Sequence, residues 1–149
     1  LYRNIEWPVV VMLAAMIPVG QALETSGISL NIANFISTTT HGMDLPWLIL
    51  MILVITMFVS DIVNNAATAV IMAPIAANLA LQVGQPVEPF LMAVAVGASC
   101  AFLSPIGHQC NTLVMAPGNY KFGDYWRLGL PLECVIVAIS IPMILFVWT

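Results

Sequence analysis

The sequence predicts an all-α membrane protein, and three observations carry that prediction. Apolar residues fill 61% of its 149 positions against 7% charged, with a mean hydropathy of +1.02, which is far from the composition of a soluble domain. The charges fall at Arg3, Glu6, Glu24, Asp44, Asp61, Glu88, Lys121, Asp124, Arg127 and Glu133. They leave apolar stretches between them that approach the roughly 20 helical residues needed to cross a bilayer core of about 30 Å. Two of those stretches are broken by polar runs, Ser60 to Asn65 and Ser104 to Thr112.

The same arithmetic excludes other classes. Three Lys and Arg against seven Asp and Glu give a net charge of -4, so no basic stripe exists for a nucleic acid. Cys100, Cys110 and Cys134 are odd in number and sit in or beside apolar segments, which suits packing and not a disulfide framework. The chain starts at Leu1 with no basic leader and cleavage site, so a fragment of a longer protein is expected.

A first span is expected over 7–23, with Pro18 and Gly20 inside it and a polar end at Glu24 to Gly27. Residues 28–38 alternate apolar residues with Asn and Ser at helical spacing, too short to cross, and are expected to lie along the interface. A helical hairpin is expected over 45–81, a broken helix over 89–117 and a final span over 126–148. Tyr120 to Arg127, just before that span, suits a headgroup-level anchor. Val70 to Pro74 and Leu113 to Pro117 share a faint likeness that does not define a repeat. The positive-inside rule places Arg3, Lys121 and Arg127 on the cytoplasmic face, whether 45–81 makes two crossings or a re-entrant hairpin.

The two interruptions are the functional signal. Non-helical backbone at membrane depth survives only where protein buries it or where it lines a wet cavity. Asp61 near mid-membrane costs about 2.5 to 3.5 kcal/mol on insertion scales, which calls for a partner or a role. A short helical arm follows each break, from Ala66 or from Asn111, and its N-terminus presents free N–H groups to an anion. Discontinuous helices of this kind hold substrate and coupling ion in secondary transporters. Converging arms would bring Asn65 and Thr68 together with His108, Gln109, Asn111 and Thr112 around an anion. Oxygens near Ser60, Asp61, Asn64, Asn65, Ser104 and Gly107 would suit a hard cation such as sodium. No Lys or Arg lies inside a span, so donors, dipoles and co-bound cations must balance a dianion.

Plainer readings stand beside this one. Asn64-Asn65 and Ser104-Pro105 are also turn formers that could join complete spans, and His108 could be a satisfied polar cap. The nine Met residues are scattered, as gap-filling residues are. Ser60, Asp61, Ser104 and His108 lack a nucleophile elbow, so no enzyme is expected.

Asn64-Asn65-Ala66-Ala67-Thr68 through Ile75 resembles the hairpin-tip motif of the divalent anion:sodium symporter family, the sulfate, di- and tricarboxylate permeases of the ion transporter superfamily. Ala98 to Gly107, on to Asn111, resembles that family's second broken helix, and Gly118 to Leu132 its approach to the last span. The resemblance implies the C-terminal one of two inverted repeats: a scaffold span, a horizontal amphipathic helix, a re-entrant helical hairpin, a broken helix and a final span. It also implies an N-terminal repeat elsewhere in the chain, a homodimer, sodium as coupling ion, no organic cofactor and an inner-membrane location. Asn64-Asn65-Ala66 stands where the family commonly reads Ser-Asn-Thr, and His108-Gln109-Cys110 where it often reads Thr-Pro-Pro. That pattern looks more like the branch of sulfate-type or uncharacterised permeases. The expectation is half of a sodium-coupled transporter of small anions, sulfate or di/tricarboxylate. A proton- or sodium-coupled antiporter or metalloid-anion exporter of the same superfamily is the alternative, and a non-transporting anchor or assembly subunit is the rival of another class.

Overall fold

A computed structural model of the chain describes residues 7–40 and 42–148, apart from the side chains at 7–10, 12, 13 and 109. Arg3 therefore lies outside the described residues. The described chain is α-helical: α1 (Trp7–Thr25), α2 (Ile28–Thr39), α3 (Leu45–Ile62), α4 (Asn65–Gln82), α5 (Val87–Ala98), α6 (Gln109–Met115) and α7 (Tyr125–Trp148), with a 3-10 turn at Phe122–Asp124. No strand occurs among the described residues.

Local chemistry sets the ends. Gly27 separates α1 from α2 and Gly84 follows α4, at φ of 71° and 68°, a left-handed backbone that a side chain would strain. A proline in the first turn of α3 needs no N–H there. Asn64 caps α4 by accepting from the Ala67 amide at 2.8 Å. Pro18 inside α1, and Pro131 and Pro142 inside α7, are tolerated as prolines are in membrane helices.

The core lies where α3, α4 and α5 meet. Ile49, Ile52 and Leu53 of α3, Leu79 of α4 and Phe90 of α5 are fully buried. Gly97 lets α5 approach α3, because a Cβ there would lie 2.9 Å from the Leu53 carbonyl oxygen and from Thr56 Cβ. Gly97→Ala is therefore expected to destabilise the full-length protein by about 1–3 kcal/mol through overpacking. Thermal unfolding in detergent measures this, and an unchanged midpoint would contradict the close packing. On α2 the small residues Ser29 and Ala33 face inward while Ile28, Leu30, Ile32 and Phe35 are exposed. The Asn78 side-chain amide donates to Ser29 Oγ at 3.4 Å and ties α4 to α2.

Three segments, 45–62, 65–82 and 122–148, are long and apolar enough to cross a membrane. The last has a mean hydropathy of 2.4 and buries only 6% of its most apolar window within the chain, leaving side chains such as Leu128 and Phe146 on its outside. The chain is an integral membrane unit. At 18 residues, α3 and α4 each reach about 27 Å, close to the hydrocarbon thickness, so the role of their junction rests on what it touches.

Candidate functional site

The two interruptions are docked on each other. The first is short: α3 stops at Ile62, Val63 and Asn64 are extended, and α4 begins at Asn65. The second is longer, running from the end of α5 at Ala98 to the start of α6 at Gln109. It opens earlier than the polar residues suggest, because carbonyls that a continuing helix would use are taken from outside it. Ser60 Oγ donates to the Ala98 carbonyl at 2.8 Å, and Asn111 Nδ2 to the Ala101 carbonyl at 2.9 Å.

Ser60 and Asp61 form the α3 side of the joint. Ser60 Oγ also lies 3.0 Å from Asn65 Oδ1. One hydroxyl carries one proton, so the Asn65 amide turned with its NH2 toward Ser60 satisfies both contacts. Asp61 Oδ1 accepts from the Leu103 amide at 2.9 Å, and the Asp61 carbonyl accepts from Ser104 Oγ at 2.6 Å. Ser104 Oγ in turn accepts from the amides of Ile106 and Gly107 at 3.1 and 3.3 Å, which folds the segment into a turn. Gly107 presses against the end of α3: a Cβ there would sit 2.7 Å from the Ser60 carbonyl oxygen and 2.6 Å from Ala101 Cβ.

The α6 side holds the loop from behind. Asn111 Nδ2 donates to the Ser104 carbonyl as well, at 3.1 Å, so both amide hydrogens close the loop and Oδ1 is left as an acceptor. Thr112 Oγ1 donates to the Pro105 carbonyl at 2.7 Å. His108 caps α6, its Nδ1 accepting from the Cys110 amide at 3.2 Å. The arm therefore starts two residues ahead of the Asn111 start read from sequence.

The joint thus brings Ser60, Asp61, Asn65, Ser104 and Gly107 together, with Asn111 and Thr112 bracing the loop from α6. Asn64 caps α4, and Thr68 lies one turn below it, fully buried with Oγ1 unpartnered. His108 is exposed, and the Gln109 side chain lies outside the described residues. Two features escaped the sequence reading. Tyr125, within the segment read as an anchor, donates its hydroxyl to the Asn111 carbonyl at 2.7 Å. Glu133, the one carboxylate inside the last span, has its Oε1 buried without a partner, and an acidic residue in an apolar span was the available signal.

Carbonyl, hydroxyl and amide oxygens dominate this joint, which is the donor set of a hard monovalent or divalent cation and not of a thiophilic metal. Among the described residues no group of three His, Cys, Asp or Glu is placed to hold a metal ion.

Apolar helices whose two breaks are hydrogen-bonded to each other, beside a helix long enough to cross a membrane, define the class of the molecule as an integral membrane helical unit. Residues 1–97 and 41–149 match the family described as citrate transporter, and the chain belongs to that family, in agreement with the divalent anion:sodium symporter motifs. It is 39% identical over 147 residues to the uncharacterized transporter YfbS of Escherichia coli, covering 96% of this chain and 23% of that protein. An uncharacterized transporter of Synechocystis is 38% identical over 144 residues, covering 97% and 23%. A probable sodium/sulfate cotransporter 3 of Chlamydomonas reinhardtii is 34% identical over 140 residues, covering 93% and 16%. The chain thus spans under a quarter of the length of each of these curated relatives.

Proposed function

We propose that this chain forms half of a secondary active, sodium-coupled transporter of small anions, of the sulfate or di/tricarboxylate type, working by alternating access. The observation that carries the reading is the docking of the two interruptions through Ser60, Asp61 and Ser104. Turns that merely joined complete spans at a membrane face would be solvated and would need no such mutual bonding. The 45–82 unit is a re-entrant hairpin on this reading, and its tip meets the broken segment at membrane depth.

Sodium is held by oxygens of Ser60, Asp61, Asn64, Asn65, Ser104 and Gly107. The anion meets the α4 N-terminus at Asn65 and Thr68, and the α6 arm supplies His108, Gln109, Asn111 and Thr112. Since Asn111 and Thr112 already donate to loop carbonyls, they serve the anion by holding the shape of the loop around it. The missing N-terminal repeat completes the cavity, the protein works as a homodimer, and Arg3, Lys121 and Arg127 face the cytoplasm at the inner membrane. The sodium/sulfate name of a 34%-identical relative supports both the ion and the anion class.

The test is uptake of labelled sulfate and of labelled succinate by the full-length protein in liposomes. An inward sodium gradient is expected to drive accumulation of at least one of them, with potassium ineffective. Accumulation driven by a proton gradient without sodium would select the antiporter-type alternative. Normal uptake after Asn65→Ala would favour the anchor reading, in which the tip is dispensable.

A further inference from the structure

Of the elements that build the joint, α6 is the least packed. It is seven residues long, and among the described residues its backbone comes close to no other helix. Leu113 and Val114 on it are exposed. In front, the side chains of Asn111 and Thr112 hold it to the loop carbonyls. Behind it lies a cavity of about 380 Å³, bounded by Phe102, Val114, Leu128 and Leu132, which keeps the arm off α7. Packing therefore does not fix the arm from that side. What reaches across is Tyr125, whose hydroxyl donates to the Asn111 carbonyl at 2.7 Å.

Tyr125 is itself held in place. Its ring meets Tyr120 edge to face, with centroids 6.3 Å apart and planes at 64°. Tyr120 in turn lies over Gly118, where a Cβ would come within 2.4 Å of the ring. One turn along the same face of α7, Gly129 lets the helix press on the broken segment, since a Cβ there would lie 2.4 Å from the Phe102 carbonyl oxygen. The first turns of α7 thus sit on the loop at Gly129 and reach the arm at Tyr125. Asn111 is bonded to the loop through its side chain and to α7 through its backbone.

We infer that Tyr125 is a positioning residue for the anion: its hydroxyl holds α6 so that His108, Gln109, Asn111 and Thr112 keep their places around the bound solute. The inference rests on the sodium-coupled reading above and deepens it, by making the start of the final span part of the frame of the anion site. The tie touches none of Ser60, Asp61 and Asn65, so it governs the anion and not the sodium held at the tip. An arm in place for only part of the time lowers apparent affinity by that fraction, whereas saturating ligand draws it back and keeps the turnover.

The experiment is Tyr125→Phe in the full-length protein, which keeps the ring and its contact with Tyr120 and deletes the hydroxyl. In sodium-driven uptake of labelled sulfate or succinate, whichever wild type accumulates, KM for the anion is expected to rise about threefold to tenfold, as loss of one net hydrogen bond gives, with the maximal rate kept. Half-saturating sodium, read without anion from thermal unfolding across a sodium titration, is expected to stay at the wild-type value. Hydrogen exchange at the amides of 109–115 is expected to quicken by a similar factor, with exchange in α4 unchanged. An unchanged KM in a variant that still accumulates the anion would overturn the proposal and leave the sodium-coupled reading standing. A loss of sodium affinity as large as that of the anion would also overturn it, since general destabilisation moves both. Unchanged exchange in α6 would do so whatever the uptake. A wild type that accumulates neither anion would overturn the proposal and the sodium-coupled reading together.

Discussion

Gly107→Val is expected to abolish the proposed sodium-driven anion uptake by the full-length protein while leaving it inserted in the membrane. The position has no room for a side chain, since the first carbon would meet the Ser60 carbonyl oxygen at 2.7 Å and Ala101 at 2.6 Å. Neither neighbour can swing aside: one is backbone at the end of α3, the other a methyl held in the same turn. The segment must therefore lift off α3, breaking the Asp61 to Leu103 and Ser104 to Asp61 bonds together. Overpacking of about 1–3 kcal/mol, concentrated on the joint, corresponds to roughly a five- to 150-fold loss of the docked form. Insertion depends on the hydropathy of whole helices and should be untouched, which surface or membrane-fraction quantification checks alongside uptake. Near-normal uptake would mean that the docking is incidental.

Asn111→Ala should cost nearly as much, by a different route. The wild-type side chain spends both amide hydrogens on the Ala101 and Ser104 carbonyls, within a segment that has no helical bonds of its own. Alanine leaves both acceptors unpaired, at about 1–3 kcal/mol for each one kept from water. Uptake is expected to fall by at least about tenfold even at saturating sodium, because the loop and not the ion occupancy has been lost. Asn111→Asp keeps the shape but donates nothing, so it should fail as badly. Full rescue of Asn111→Ala by raised sodium would instead make Asn111 a simple cation ligand.

The helical membrane class was legible in the sequence because hydropathy is a local property. The run from Leu45 to Val59 has no alternative to a helix in an apolar setting. The positions of the two breaks were legible for a related reason, since Asn64-Asn65 and Ser104-Pro105 are residues that favour turns by their own chemistry. The length of the second break was not. Cys100 to Leu103 reads as apolar helix, and what opens it is Ser60, Asp61 and Asn111 reaching in from other elements. Glu133 was hidden similarly: its neighbours depend on Gly129 meeting Phe102, a contact between distant parts of the chain that no periodicity reports. Ser60, Asp61, Asn64, Asn65, Ser104 and Gly107 could be grouped from the sequence because both breaks need polar partners at membrane depth, and the symporter-like motifs gave them an order.

On the proposed function the Asn65 tip lies in a wet cavity at membrane depth, shared by cation and anion. Thiol labelling tests it most directly, using full-length protein with Cys100, Cys110 and Cys134 replaced and a single cysteine introduced at position 65. Labelling by a membrane-impermeant reagent is expected to fall sharply when sodium and the transported anion are added together. It should fall less with either alone. A cysteine at 65 labelled at the same rate with and without both solutes would place Asn65 at a membrane face, joining two complete crossings, and would contradict the re-entrant hairpin and the site built on it.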